Sequence, residues 1–256
     1  MANLQIAILP VTAFQQNCTL MWEEDSKEGV IIDPGGDNEK VIAAIAEIGM
    51  KPMAIWLTHG HIDHAAGAMD MKDEYGIELF GPQKDDLPLL EGLEKQAQMF
   101  GLEGQVRNCQ PDRWLEEGDV MTIGEHQFDV FHCPGHAPGH VVFYNKKAGF
   151  SHVGDVLFAG SIGRTDLPGG DHDTLIASIK NKLMTWPDDV QFICGHGPAS
   201  SIGQERASKH RVDEYPGRVL LGTEPSSVGT LGVGWASVIE HDRPTAQPSD
   251  EQTAAR

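Results

Sequence analysis

The sequence predicts an α/β layered sandwich. Short apolar runs bounded by Gly, Pro and Asp indicate strands, and longer stretches with apolar residues at helical spacing lie between them. Strands come first, helices intervene, strands return and helices follow again, an order that favours layered sheets over a regular alternation of single strands and helices. With 256 residues, the chain is long enough to bury a large core as one large domain or two small ones.

The predicted strands are the shortest of these apolar segments. Turn-forming residues lie on both sides of each run, and the length of each run is typical of a strand and too short for a helix. The eight predicted strands are Leu4–Leu9, Cys18–Trp22, Val30–Ile32, Met53–Leu57, Ile77–Phe80, Phe128–Phe131, Val141–Tyr144 and Gln191–Cys194.

Four longer segments are predicted helices. The clearest is Glu39–Ile48, because Val41 and Ile45 share one face and Gly49 follows as the expected C-cap. Pro187 ends the last predicted helix, since proline cannot continue a helix. The other three predicted helices are Asp63–Tyr75, Gln83–Phe100 and Asp173–Trp186.

The composition changes near Asp213. From Tyr215 onward the chain is rich in Gly, Ser, Thr and Pro, a composition that buries too little apolar surface to fold by itself. We therefore expect a globular domain over residues 1–212 and a Gly/Ser/Pro-rich extension over residues 213–256 that is partly disordered.

The chain is strongly acidic, with 19 Lys and Arg against 38 Asp and Glu and a formal net charge of −19. Such a surface repels nucleic-acid phosphates and anionic membranes, so we expect neither as a partner. The expected partner is a small molecule, and the sequence leaves the oligomeric state open.

The sequence favours a cytoplasmic location. No apolar run reaches the roughly 18 residues that a membrane span needs. The first 26 residues contain neither Lys nor Arg, so we expect no signal peptide. Four scattered cysteines without a C-x-x-C pair suit free thiols in a reducing compartment: Cys18, Cys109, Cys133 and Cys194.

The motif from His59 to His64, HGHIDH, carries four metal-binding side chains within six residues. His59 and His61 lie two residues apart at the end of a predicted strand, so they project to the same side of the chain. Asp63 and His64 open the next predicted helix, and their side chains can point back over the strand end. The motif therefore indicates ligands that face one another across two metal ions.

Three later segments support this interpretation. Each follows an apolar run and contains Gly, as do loops that present ligands from the ends of strands. A single His in such a loop is more often a surface or hydrogen-bonded residue, but four segments in this order indicate a metal site. The later segments are PGHAPGH with His136 and His140, VGD with Asp155, and CGHG with His196.

The order of these motifs resembles the metallo-β-lactamase superfamily. The segment from Gly154 to Asp166, GDVLFAGSIGRTD, is similar to the glyoxalase II (hydroxyacylglutathione hydrolase) branch, and in particular to short members that lack the helical C-terminal domain. The resemblance covers roughly Asn3 to Arg206. It implies a four-layer αββα sandwich with two metal ions at one edge of the paired sheets.

The family pattern implies how the ligands divide between two divalent ions. Five imidazoles and two carboxylates suit Zn²⁺ best, and they would also hold Fe or Mn. His140 is either a supporting residue behind the ligands or an ordinary residue at a strand start. The implied ligands are His59, His61 and His136 for one ion and Asp63, His64 and His196 for the other, with Asp155 bridging the two.

The resemblance also implies the reaction, which is hydrolysis of S-(2-hydroxyacyl)glutathione, such as S-D-lactoylglutathione, to glutathione and a 2-hydroxy acid. Two ions lower the pKa of a bridging water toward neutrality, and Asp63 could orient the hydroxide and accept its second proton. A thiolate with a pKa of about 8.5 leaves without a general acid. Arg164 is the candidate for binding substrate carboxylates.

The chain departs from the family pattern after Arg206. It continues with Ala207-Ser208-Lys209, whereas the family commonly has further basic residues and an Asn-Pro-Phe segment. The C-terminal helices that carry glutathione contacts in the long forms are also absent from the sequence. The hydrolytic core is therefore better supported than the preference for glutathione as the thiol carrier.

Other functions of the superfamily compete with this interpretation. A mononuclear iron persulfide dioxygenase would have a different loop after Gly154-Asp155, and β-lactam hydrolases usually carry Cys or another residue in place of Asp155. A lactone hydrolase and a metal-binding scaffold without activity are further alternatives, and the net charge of −19 opposes a nuclease. The sequence contains neither a G-x-S-x-G elbow nor a P-loop motif.

Overall fold

The computed structural model describes residues 3–102 and 106–207. The predicted extension over residues 213–256 lies outside the described residues, as does the predicted boundary at residue 212. Everything below concerns the two described ranges.

The first sheet has five strands in sequence order. β1, β2 and β3 pair antiparallel, whereas β3, β4 and β5 pair parallel. The two parallel connections carry helices, as crossovers between parallel strands usually do. The strands are β1 Leu4–Val11, β2 Gln16–Glu23, β3 Glu28–Ile32, β4 Lys51–Trp56 and β5 Glu78–Phe80.

The second sheet has six strands in the order β13-β12-β9-β8-β7-β6. Only β12 and β9 pair parallel, and a separate two-stranded ribbon of β10 and β11 follows β9 along the chain. The strands are β6 Val120–Ile123, β7 His126–His132, β8 Val141–Asn145, β9 Phe150–His152, β10 Leu157–Phe158, β11 Ser161–Ile162, β12 Gln191–Ile193 and β13 Ser200–Ser201.

The two sheets pack face to face around a central core. Trp56 of the first sheet contacts Phe128 and Phe143 of the second, with ring centroids 5.6 and 5.0 Å apart. Because successive side chains of a strand point to opposite faces, Val142 and Tyr144 of β8 face away from this core into a second apolar layer. Strands buried on both faces indicate a further layer of structure outside each sheet.

Helices supply those outer layers. Five helices pack on the first sheet through a cluster that includes Val41, Ile45, Ala65 and Met71, and α6 packs on the second sheet through Leu175 and Ile179. The four-layer αββα sandwich is therefore confirmed. The helices are α1 Asn38–Ile48, α2 Ile62–Ala65, α3 Ala68–Tyr75, α4 Leu87–Leu90, α5 Leu93–Met99, α6 His172–Asn181 and α7 Ile202–Ala207, with 3₁₀ turns at Lys84–Asp86 and Leu183–Thr185.

All eight predicted strands are confirmed within a few residues at each end. The helix prediction is right for α1, whose C-cap Gly49 adopts a left-handed φ of 71°. The predicted helix Gln83–Phe100 is wrong in extent. Pro88 lies in the first turn of α4, where a residue without an N–H is tolerated, and Gly92 separates α4 from α5.

The predicted helix Asp63–Tyr75 is divided in the same way, into α2 and α3. The chain leaves the first helix at Gly67, whose N–H donates to the Pro34 carbonyl oxygen at 2.8 Å instead of continuing the helical ladder. Across the two described ranges, none of the helices has both the length and the apolar character that crossing a bilayer demands.

Candidate metal centre

Four loops meet at one edge of the sandwich because their strands end there. β9 and β12 run parallel, and β7 runs in the same direction with β8 between, so all three end at the same edge of the second sheet. The loops that follow them carry the PGHAPGH, VGD and CGHG segments, and the loop after β4 carries HGHIDH. The four motifs of the sequence therefore lie together.

Backbone hydrogen bonds join these loops across the two sheets. The Val141 N–H donates to the Thr58 carbonyl oxygen at 2.8 Å, and the Asn17 N–H donates to the Gly195 carbonyl oxygen at 2.7 Å. Gln16, at the start of β2, also forms an isolated β-bridge with His196. The loop of the last predicted ligand is thus attached to the second strand of the chain.

The structure brings all seven predicted ligands into one cluster. Three overlapping groups have ligand atoms within 4.8 Å of one another. Two of these groups match the predicted division, and the third combines one residue of each with Asp155. The groups are His59, His61 and His136; Asp63, His64 and His196; and His59, His64 and Asp155.

The first group consists of three buried imidazoles with converging nitrogens. His136 Nε2 lies 3.2 Å from His59 Nε2 and 2.9 Å from His61 Nδ1. His136 donates its Nδ1–H to the Arg164 carbonyl oxygen at 2.8 Å, so Nε2 of the neutral ring carries a lone pair. Burial lowers the pKa of the rings, to about 3 for His61 and well below the ordinary value for His59.

The hydrogen bonds of Thr58 orient the His59 ring so that, as in His136, Nδ1 carries the proton and Nε2 carries the lone pair. Thr58 Oγ1 donates its single proton to Asp33 Oδ2 at 2.6 Å, so it accepts from His59 Nδ1–H at 3.0 Å. This leaves the Nε2 lone pair of His59 facing the Nε2 lone pair of His136. Two lone pairs at 3.2 Å repel each other, and a cation between them removes the repulsion.

The second group mixes a carboxylate with two imidazoles and is partly open to solvent. Asp63 Oδ2 lies 3.2 Å from His196 Nε2 and 3.8 Å from His64 Nε2, and the His196 side chain is 31% exposed. Burial alone would lower the pKa of both rings, but the carboxylates of Asp63 and Asp155 raise the pKa of His196 and raise that of His64 well above its usual value.

Asp155 lies between the two groups. Its Oδ1 is 3.4 Å from His64 Nε2, and its Oδ2 is 3.5 Å from His136 Nε2 and 3.6 Å from His196 Nε2. Burial would raise the pKa of this carboxyl, but the surrounding imidazoles hold it well below its usual value. Both Asp155 Oδ1 and His64 Nε2 are buried without a hydrogen-bond partner, as expected of ligand atoms.

Sequence reasoning missed Asp33, which supports the cluster through hydrogen bonds to Thr58 and His64. This fully buried carboxylate follows β3 and accepts from the Thr58 N–H at 2.7 Å and from His64 Nδ1–H at 2.9 Å. It therefore fixes the His64 tautomer and turns Nε2 toward Asp155, a common arrangement behind metal-binding histidines. Its position directly after a buried strand was the available signal.

His140, for which the sequence leaves two roles open, contacts the cluster. Its Nε2 accepts from the Asp155 N–H at 3.0 Å, and its ring stacks on His59 with centroids 4.7 Å apart. The supporting role is therefore the one that its contacts favour.

Arg164 contacts the cluster through its main chain, whereas its side chain pairs with a neighbouring carboxylate. Its carbonyl oxygen holds His136, while its guanidinium donates to both carboxylate oxygens of Asp166 at 2.7 and 2.9 Å. The side chain is 39% exposed. Its predicted contact with substrate stays a prediction.

The donor set fits a dinuclear divalent centre. Imidazole nitrogens with free lone pairs and ionised carboxylates are the ligands that zinc and neighbouring divalent metals prefer. One group is neutral, the other carries Asp63, and Asp155 faces both, so two adjacent cations would share a bridging carboxylate.

The comparisons with known proteins agree with this geometry. The family model for the metallo-beta-lactamase superfamily matches residues 11–196. Hydroxyacylglutathione hydrolase GloC of Haemophilus influenzae is 46% identical over 206 residues, which cover 80% of this chain and 96% of that protein. The resemblance to the hydroxyacylglutathione hydrolase branch is thereby confirmed.

Two solved structures have the same fold. BLEG-1, a B3 metallo-beta-lactamase, superposes with a TM-score of 0.71 at 38% identity, covering 78% of this chain and 95% of that one. TTHA1623, solved in a di-iron-bound form, superposes with a TM-score of 0.70 at 37% identity, covering 78% of this chain and 96% of that one.

Proposed function

The chain belongs to the metallo-beta-lactamase superfamily, and from that premise we propose that it hydrolyses S-(2-hydroxyacyl)glutathione thioesters such as S-D-lactoylglutathione. The products are glutathione and a 2-hydroxy acid. The observation that carries the proposal is the convergence of five imidazoles and two carboxylates at one edge of the sandwich. The 46% identity to a hydroxyacylglutathione hydrolase supports the substrate class.

The proposed ligands follow the two geometric groups. His59, His61 and His136 would hold one divalent ion, Asp63, His64 and His196 would hold the other, and Asp155 would be shared by both. We propose zinc, because a nitrogen-rich set with two carboxylates suits it. Iron is the alternative that the di-iron form of TTHA1623 supports. Elemental analysis of the protein as purified decides between them.

The chemistry that such a pair of cations supplies when bound is activation of water and polarisation of an acyl carbonyl. The remaining work belongs to side chains of this protein. The Asp63 carboxylate lies in the open half of the site, with 17% of its side chain exposed, and it orients the attacking water and accepts its second proton. His64 and His196 keep this carboxylate ionised, since they lower its pKa despite burial.

The leaving group explains why a thioester suits the site. A thiolate has a pKa of about 8.5, so it departs near neutral pH without a proton donor. Arg164 is proposed to bind a carboxylate of the glutathione moiety, for which its guanidinium must exchange Asp166 for the substrate.

The test is hydrolysis of S-D-lactoylglutathione by the purified, metal-loaded chain. The reaction is monitored through the loss of thioester absorbance and the release of free thiol. We expect turnover that Asp63→Asn lowers by about 100-fold or more, as for loss of a general base. Asp70→Asn is the control, because Asp70 is an exposed carboxylate on α3 that pairs with Arg107. A folded, two-metal protein that leaves the thioester intact contradicts the proposal.

β-Lactam hydrolysis is the second candidate, favoured by the 38% identity to BLEG-1. A chromogenic cephalosporin in the same assay separates the two functions. Turnover of the cephalosporin with none of the thioester would replace the first proposal by the second.

We further propose that the protein acts in the cytoplasm. Its four cysteines are all buried and free, which supports a reducing compartment.

A further inference from the structure

Asp86 is a fully buried carboxylate that the proposed reaction does not use. It ends the 3₁₀ turn Lys84–Asp86 and lies between two of the metal-site loops. Its Oδ2 accepts from the Gly60 N–H at 2.8 Å, and its Oδ1 accepts from the Gly139 N–H at 2.6 Å. One side chain thus joins the loop after β4 to the loop after β7.

The two amides belong to the two loops that supply the first ligand group, and the loop after β4 also leads directly into Asp63 and His64 of the second group. Gly60 lies between His59 and His61, and Gly139 lies three residues after His136 in the PGHAPGH segment. These loops supply the whole of the first ligand group. The loop that carries His196 receives its backbone support from β2 instead.

The segment around Asp86 is packed tightly against both loops. The Gln83 N–H donates to the Gly139 carbonyl oxygen at 2.9 Å, so Gly139 is held through both of its backbone polar groups. A Cβ atom at Gly139 would lie 2.3 Å from the Gln83 carbonyl oxygen and 2.6 Å from the Asp86 nitrogen. The loop after β7 therefore cannot shift without disturbing this segment.

Burial raises the pKa of Asp86 to about 7, and the hydrogen bonds from the Gly139 and Gly60 amides oppose this rise because they favour the carboxylate, to which such bonds are charge-assisted. Their geometry restrains the separation of the two loops directly, because both oxygens are engaged. A residue that acts on ligand positions in this way can raise metal affinity without touching the metal.

We propose that Asp86 is a positioning residue, which holds the two loops so that His59, His61 and His136 form their site before an ion arrives. The inference rests on the ligand assignment of the proposed function. It predicts that Asp86 supports the first ion and leaves the second ion unaffected.

The experiment measures Zn²⁺ affinity in two single-site backgrounds of the full chain, each freed of metal and titrated in competition with a chromophoric chelator. His196→Ala disrupts the second site, and His136→Ala disrupts the first. Asp86→Asn keeps one acceptor oxygen and loses the other. We expect it to weaken Zn²⁺ binding by about 10- to 100-fold in the His196→Ala background and to leave binding in the His136→Ala background unchanged.

Asp112→Asn is the matched control. Asp112 also accepts a backbone N–H, that of Leu79 at 2.7 Å, but it lies outside the cluster. This variant should leave both affinities unchanged. An equal fall for Asp86→Asn in both backgrounds, or no fall in either, overturns the role of Asp86. If His136→Ala and His196→Ala each still bind two ions, the ligand assignment itself fails, and the inference fails with it.

A measurement on the unaltered chain keeps the inference testable if Asp86→Asn does not fold. Hydrogen exchange by NMR in the metal-free protein should find the Gly60 and Gly139 amides protected to the level of the central strands. Rapid exchange of either amide means that the loops are not held before metal binds, which overturns the proposal.

Discussion

The two halves of the metal centre differ in charge, burial and support. His59, His61 and His136 are buried, and burial lowers the pKa of each ring, so this half is neutral. In the other half, His196 is 31% exposed and carboxylates raise the pKa of its ring. The first half therefore has the character of a preformed ligand set, and the second is the half that is open to solvent.

The supports of the two halves also differ. The first half is oriented by Thr58, by the Arg164 carbonyl oxygen and by the loops that Asp86 joins. The second half is oriented by Asp33 and by the main chain of β2. The comparison indicates that uncharged oxygen acceptors orient His59 and His136 in the first half, whereas a carboxylate orients His64 in the second.

The largest effect is expected at Asp155, the residue shared by both halves. Asp155→Asn should lower kcat by at least about 10³-fold, because loss of an outer partner alone typically costs 10- to 100-fold and Asp155 faces both ions. Steady-state kinetics with metal analysis measures this. Asp173→Asn, on the exposed first turn of α6, is the control. Two bound ions with an unchanged rate would show that Asp155 does not couple the halves.

Asp33→Asn should have the next largest effect. This effect should concern the second half of the centre, whereas that of Asp86→Asn concerns the first. The variant loses the acceptor that orients His64, so Zn²⁺ affinity of the second site should decrease by about 10- to 100-fold. Because Thr58 also donates to Asp33, a smaller loss at the first site accompanies it. Titration in the single-site backgrounds measures both. Equal losses would remove the distinction between the supports.

His152 is a buried imidazole that belongs to neither half of the centre. It therefore shows what burial does to a histidine of this protein outside the ligand set. Burial lowers its pKa from 6.5 to about 4, and its Nε2 lies 3.2 Å from Thr19 Oγ1. A lowered histidine pKa gives stability that is complete above pH 6.5 and is lost as pH falls toward 4, since the unfolded chain binds the proton first.

The free energy of unfolding of the metal-free chain falls as the pH is lowered from 6.5 to 4. In the His152→Gln variant this fall should be smaller by about 3 kcal/mol. Denaturant unfolding at several pH values measures the difference. The same replacement at the partly exposed His172 is the control. Identical pH profiles would show that His152 does not contribute to the acid sensitivity of the fold.

Arg164→Ala should give the smallest effect. The carbonyl oxygen that holds His136 remains, and only the exposed guanidinium is lost. An exposed ion pair contributes about 1 kcal/mol, which corresponds to a roughly fivefold higher KM with kcat retained. Arg107→Ala, on an exposed ion pair with Asp70, is the control. A fall in kcat instead would show that the Arg164 side chain helps to hold the loop that orients His136 in the first half of the centre.

The clustering of the seven candidate ligands was predictable because the motifs are local and lie at strand ends, where a sheet brings distant loops together. β4 and β12 were equally visible as apolar runs. Asp86 was not predictable, since its role depends on the packing of a segment whose predicted helix Gln83–Phe100 is interrupted by Pro88 and Gly92. β9 was missed because three residues, of which two are polar, give no apolar run.

The pairing of β2 with the His196 loop has a consequence for biosynthesis. The Asn17 amide group donates to the Gly197 carbonyl oxygen, 180 residues further along the chain. Contacts of such long separation form late in folding, because the intervening loop must close first. The second ligand group therefore cannot be complete until the chain has been synthesised past His196, which is nearly the whole length of the described sandwich.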